Sequence, residues 1–282
     1  MGDNKMIKYF FFLATLGLIL ALPSTAQPPQ DRPNDTFYER KSMMENRPIE
    51  LPHVREADIL WSKRIWQNID VRLKINQPLY FPQEPIGDFK SLMKVLEDAL
   101  RAGEIHAYDV DDEYFRGDPL DPNDLFERLS RTETFEEDGQ EVAVVIPFNP
   151  AQILRFRIRE EWFIDKRRGR MDVRIVGLSP AREVIDNITG ESLGWEPLFW
   201  LPFAEIREVL ANAPVYTRHN DRQSISFDDY FIRRFFDATI YREERPDNRV
   251  ISEYIEDPIE QLLEAQRIKE EIRNMELDLW HY

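Results

Sequence analysis

Apolar residues in this chain fall into runs of different period, and each period predicts a different element. Behind Lys5 and Lys8, Tyr9 to Leu22 is almost wholly apolar and ends in Pro23-Ser24-Thr25-Ala26-Gln27. That run is about fourteen residues, short of the roughly 20 of a spanning helix, and Ser24 and Ala26 are small, so residues 1–26 read as a secretory signal peptide cleaved after Ala26. Residues 27–52 carry Pro28, Pro29, Pro33, Pro48 and Pro52 without periodicity. They predict an extended arm, either a disordered tether or a strap that orders against a neighbouring subunit. Ile59, Trp66, Ile69 and Leu73 then recur at helical spacing and predict an amphipathic helix that stops before Pro78. A second helix is marked by Phe89, Leu92, Met93, Leu96, Ala99 and Leu100 on one face, with Gly103 at its C-terminal cap. Glu104 to Tyr108 reads as a short strand leading into an acidic loop, Asp109 to Asp124, with Leu125, Phe126 and Leu129 in a short helix beyond it.

The centre of the chain changes to a period of two. Leu154, Phe156 and Ile158 alternate with Arg155, Arg157 and Arg159, and Met171, Val173 and Ile175 alternate with Asp172 and Arg174. With the turn Lys166-Arg167-Arg168-Gly169-Arg170 between them, residues 153–178 predict a long β-hairpin, preceded by a strand at Val142 to Ile146. The order of elements then repeats. Pro197 to Pro202 is similar to Pro78 to Pro82, and the helix of Phe203, Ile206, Val209, Leu210 and Ala213 is similar to the one from Phe89. Each is followed by a strand with a tyrosine (Tyr108, Tyr216), a polar loop and an aromatic helix. Duplication of one α/β unit explains this, and so does chance likeness of two helix-strand stretches. A charged amphipathic helix closes the chain, with Ile259, Leu262, Leu263, Ile268, Ile272, Met275 and Leu279 as its stripe. The expected class is α+β: a first α/β unit at 53–135, a second at 142–255 built on the hairpin, and a C-terminal helix at 256–282.

Composition narrows the chemistry. The chain has no cysteine, so disulfides, thiolate metal sites and a lipoprotein anchor are excluded. Its net charge of −16 is repelled by nucleic acid and by anionic lipid and favours solubility or a basic partner. The acidic loop does not fit a calcium-binding hand, because its sixth and twelfth positions hold Tyr114 and Leu120 instead of glycine and glutamate. None of the four histidines stands at metal-ligand spacing, and phosphate-binding and nucleophile-elbow glycine motifs are absent. No catalytic, cofactor-binding or metal-binding residue is therefore assigned. Tryptophan and arginine dominate protein interfaces, and two segments present them without clean periodicity. They are the basic turn (Lys166, Arg167, Arg168, Arg170) and the aromatic segment (Trp195, Phe199, Trp200), which are the candidate partner interface, with solvation of the turn and core packing of the aromatics as the plainer readings.

Specific blocks point further. Arg55-Glu56-Ala57-Asp58, Trp61-Ser62-Lys63-Arg64 with Trp66, Asn76-x-Pro78-Leu79-Tyr80-Phe81-Pro82, Glu161 to Lys166 and Met171 to Pro180 resemble the gliding-motility N protein family (GldN, also PorN) of the type IX secretion system in Bacteroidetes. The resemblance implies a non-enzymatic periplasmic subunit that self-associates in a ring under the outer membrane. Its implied partners are an outer-membrane lipoprotein of the GldK/PorK kind and inner-membrane motor subunits of the GldM/PorM kind. It implies no cofactor, no nucleic acid and no transmembrane segment once the signal peptide is removed. A stand-alone periplasmic peptide- or glycan-binding protein and an unfamiliar periplasmic enzyme are the alternatives from other classes; a deep pocket of convergent polar groups would mark the enzyme.

Overall fold

The computed structural model describes residues 46–137, 140–186, 189–216 and 225–279, with the backbone alone described over 131–144. The expected signal peptide and most of the arm lie outside the described residues. Eight strands are present among them: β1 (Ile59–Asp70), β2 (Arg131–Glu137), β3 (Gln140–Ile146), β4 (Ile153–Asp165), β5 (Arg170–Ile185), β6 (Ser192–Pro197), β7 (Leu201–Pro202) and β8 (Thr239–Glu243). The α-helices are α1 (Gln77–Tyr80), α2 (Leu92–Ala102), α3 (Pro122–Leu129), α4 (Phe203–Asn212), α5 (Phe227–Ile232), α6 (Ile251–Tyr254) and α7 (Pro258–Asp278). The fold is α+β, on an antiparallel sheet of order β6-β5-β4-β1-β8, with β7 paired to β5. β1, from the first predicted unit, runs between β4 and β8 of the second, so the two stretches share one sheet.

The hairpin is present as expected, with Asp165 opposite Arg170 at its tip and Phe156 opposite Pro180 farther along. β5 continues past residue 178 because β6 pairs with its far end, from Ala181 opposite Pro197 to Ile185 opposite Ser192. The strand at 142–146 belongs to β3, which pairs only with β2, Phe135 opposite Val142, in a separate two-stranded sheet. α2 has the predicted C-terminal cap and an N-terminal cap besides. The Ser91 hydroxyl accepts from the Lys94 amide, and Gly103 takes the left-handed conformation, φ 71°, that closes the last turn at little steric cost. The strand expected at 104–108 is reduced to single bridges, Ala107 to Leu120 and Tyr108 to Trp200. Of the two segments matched as repeats, 78–82 begins in the one-turn helix α1 and 197–202 is extended.

The helix expected from Ile59 is wrong: that segment is the strand β1. Trp61, Ile65, Ile69 and Val71 lie on one side of it and pack into the cores, while Trp66 faces the other side beneath the Arg242 guanidinium, 3.8 Å from its ring centroid. Two polar residues, Lys63 and Gln67, occupy the apolar side and hide the alternation. Lys63 Nζ is 2.5 Å from the Glu243 carboxylate, and Gln67 Nε2 donates to Glu160 Oε2 at 2.6 Å. Ile59 and Leu73, two of the four residues that suggested a helix, are exposed.

One face of the sheet carries two apolar clusters. The larger joins Ile69, Phe156, Ile158 and Leu178 to the helices α2, α3, α4 and α5. The smaller joins Ile65, Ile164, Met171 and Ile240 to Ala265, Ile268 and Ile272 of α7. Glu160 lies between them on β4 with no solvent exposure. Its carboxylate accepts from Gln67 Nε2, from Trp162 Nε1 at 3.0 Å, and from both Arg234 terminal nitrogens at 2.6 and 3.3 Å. Arg234 follows α5 in a left-handed conformation, φ 55°, uncommon for a residue with a side chain. Replacing Arg234 by methionine should leave a buried carboxylate short of its countercharge and lower unfolding free energy by about 2 to 4 kcal/mol. Adding Glu160→Leu should recover much of that loss, as read by chemical denaturation of both variants.

Candidate interaction surfaces

The two segments proposed as an interface are set apart by the fold. The basic turn caps one end of the hairpin, and the aromatic segment pairs near residues 178–181 at the other, separated by roughly 30 Å of strand at about 3.3 Å per residue. Acids compensate the turn. Arg168 Nε lies 3.5 Å from Asp165 and its Nη1 3.3 Å from Asp172, Arg170 Nε 3.3 Å from Asp172, and Arg167 Nη1 3.8 Å from Asp58. Lys166 has no carboxylate partner among the described residues, although its amide donates to the Asp58 carbonyl.

Phe199 and Trp200 are corrected from interface to core. They are 0% and 2% exposed. Trp200 exchanges both backbone hydrogen bonds with Tyr108 and donates its indole N–H to the Val110 carbonyl at 3.2 Å. Its ring packs so closely on β5 that a Cβ at Gly177 would stand 3.3 Å from it and 3.1 Å from Phe115. Trp195 is half-buried, with the Arg155 guanidinium 3.9 Å and the Arg72 guanidinium 5.2 Å from its ring centroid.

These contacts belong to a ladder on the sheet face opposite the two cores. Arg155, Arg157 and Arg159 project there from β4 and meet Trp195, Tyr241 and the Tyr114–Phe115 pair in turn. Burial lowers the pKa of Arg155 and Arg159 against the pull of Asp70 and Glu113, yet a guanidinium stays charged throughout the working pH range. Burial pushes the Tyr241 hydroxyl up to about 12. The acidic loop folds onto this face. Glu113 accepts from Trp66 Nε1 at 3.1 Å and pairs with Arg242, and its carbonyl accepts from Arg159. Asp112 accepts from the Arg116 and Gly117 amides at 3.0 and 2.7 Å. Among the described residues no group of three or more His, Asp or Glu side chains is placed to hold a metal ion.

The described end of the arm lies against the protein itself. Arg207, held at 2.8 and 2.9 Å by the buried Asp228 carboxylate, donates to the Ile49 carbonyl, and Arg174 donates to the Pro52 carbonyl. α7 departs from the stripe read in its sequence. Ile268 and Ile272 are buried, whereas Ile259, Leu262 and Leu263 face outward. Where α7 crosses the sheet, a cleft of about 310 Å³ opens, lined by Gln67, Trp162, Arg234, Phe236, Lys269 and Arg273 among others. Sequence reasoning passed over Glu160, Glu113 and Arg234, whose roles depend on partners 74 or more residues away along the chain for the longest of their bonds.

Trp200→Ala should lower the melting temperature sharply, at a cost of about 3 to 5 kcal/mol for a fully buried large aromatic. Arg167→Glu alone should leave the melt nearly unchanged, because its exposed guanidinium stands 3.8 Å from Asp58 and such pairs contribute about 1 kcal/mol or less. Arg168→Glu should lower it, because it sets a second carboxylate beside the buried Asp165. A second expectation concerns pH. Burial raises the Asp70 pKa, but the hydrogen bonds and charge of Arg72, with Arg155, outweigh it and hold the group below its ordinary value. Its contribution is therefore whole above the unfolded-state value of about 4 and lost as pH falls through the lower folded value. Asp70→Asn should melt below the wild type at pH 7, and the gap should close as both are measured at pH values under about 4.

Among the described residues no helix is long and apolar enough to cross a membrane. No curated protein matches the chain. A family profile, gliding motility associated protein GldN, matches residues 54–281, from just before β1 to beyond the end of α7. With the match spanning the sheet, both cores and the outer-face ladder, the chain belongs to the GldN family of gliding motility associated proteins.

Proposed function

We propose that this chain is a non-enzymatic, structural subunit of the periplasmic ring of the type IX secretion and gliding machinery. The observation that carries the reading is the family match over 54–281. In this reading the signal peptide delivers the chain to the periplasm. Contacts with an outer-membrane lipoprotein of the GldK/PorK kind, and with further copies of itself, hold it beneath the outer membrane. It also contacts motor subunits of the GldM/PorM kind. Side-chain chemistry supports the structural part: the buried carboxylates Glu160 and Asp228 are engaged by arginines of the same chain, so both serve the fold.

A second reading draws on the cleft beside α7, where Trp162 and Phe236 offer aromatic surface to a peptide or glycan. The two readings part on assembly. Purified under mild conditions from native envelopes, a ring subunit should elute in a large complex containing the lipoprotein, and the same complex should be missing from cells lacking that lipoprotein. Recovery as a free monomer that binds a peptide or glycan would favour the second reading and defeat the first.

A further inference from the structure

The first turns of α7 are apolar on two opposite sides. Ala265, Ile268 and Ile272 are buried against the sheet, as the inner stripe of a surface helix should be. Ile259, Leu262 and Leu263, spaced i, i+3 and i+4, stand on the other side at 68%, 58% and 64% exposure. Three adjacent aliphatic side chains facing water on one helix form a contiguous apolar face, the kind of surface that marks a contact site.

Acids predominate around this face, and the two cations that reach its acids, Arg267 and Arg245, both engage Glu264. From Val250 to Gln266 the sequence contains no lysine, arginine or histidine. Glu253, Glu256, Asp257 and Glu260 are exposed there, and Glu264 is already engaged by Arg267, whose Nε lies 2.7 Å from it. We propose that this face docks an amphipathic segment of a partner protein, one whose apolar residues are bounded by lysines or arginines. The inference rests on the assembly reading above and adds the surface and the chemistry of the partner. Charge decides against the same face of a second copy, since that pairing sets carboxylates against carboxylates in a chain of net charge −16.

The experiment uses the full chain in its native host with p-benzoylphenylalanine at Leu263, followed by irradiation and mass spectrometry of the crosslinked peptides. The expected product joins this position to another protein, on a peptide whose apolar residues lie next to lysine or arginine. Glu256→Lys with Glu260→Lys, exposed positions that should not alter the melt, should cut its yield about tenfold. If that variant does not fold, the purified complex irradiated at rising ionic strength supplies the same comparison, and the yield must fall as salt screens the rim. Crosslinks to a second copy, to this chain's own residues 27–45, to an acidic or uncharged segment or to lipid alone overturn the proposal. So does an absence of crosslinks or a yield indifferent to charge. A complex that still copurifies without a crosslink at Leu263 removes this surface and leaves the assembly reading standing, whereas loss of copurification removes that reading.

Discussion

Glu160 divides the protein's interior. Along β4 the side chains Phe156, Ile158, Glu160, Trp162 and Ile164 share one face of the sheet, and four of the five could have lined a continuous apolar floor. An ionised carboxylate at the centre of that floor is costly unless its oxygens are satisfied. The donors come from β1 (Gln67), β4 (Trp162) and the residue pair after α5 (Arg234), so three separate elements must converge there. The helices α2 to α5 consequently pack over one end of the sheet and α7 over the other. Their separation leaves the cleft beside Trp162 and Phe236. Buried ion pairs seldom add stability over apolar residues of equal volume. Its geometric consequence is placement: Arg234 bonded to Glu160 ties the chain after α5 to β4 just ahead of β8, which pairs with β1.

The same interaction bears on one strand that the sequence did not disclose, β1, while other elements follow local pattern. The hairpin is legible because apolar residues and arginines alternate from Leu154 to Arg159 at the start of β4, with each arginine on the outer face. α2 is legible because its apolar stripe and the glycine at 103 agree on one helix. β1 was misread because Lys63 and Gln67 stand on its inner side, and only their partners Glu243 and Glu160, far along the chain, make those positions tolerable. A helical period then arose from Trp66 and Ile69, which face opposite sides of the sheet. The hairpin of β2 and β3 was half seen: the run at 142–146 was recognised, while its partner Arg131–Glu137 is too polar to announce a strand. For α7 the helix was evident, but seven aliphatic positions spread over more than one face do not say which face is covered.

Aromatic content was a poorer guide than aromatic placement. Trp195, Phe199 and Trp200 are near neighbours in sequence, yet only Trp195 remains at the surface. The switch occurs because β6 ends at Pro197 and the next residues turn inward to bridge Tyr108 before β7 returns to β5. Burial of this kind follows from strand pairing, which no local property of the six residues encodes.

The outer-face ladder also changes how the net charge bears on partners. Arg155, Arg157, Arg159 and Arg242 are spent on rings and carboxylates of this same chain, and the basic turn is balanced by Asp58, Asp165 and Asp172. Each of these cations that meets a carboxylate is neutralised in place, so the uncompensated acids include Glu253, Glu256, Asp257 and Glu260, whose field reaches one Debye length, about 8 Å at physiological salt. The net charge stays −16, and what a partner meets at the start of α7 is a local cluster of acids. Where apolar side chains break that surface, at Ile259, Leu262 and Leu263, desolvation and charge act on the same approaching segment, and the acids select which apolar segment is admitted.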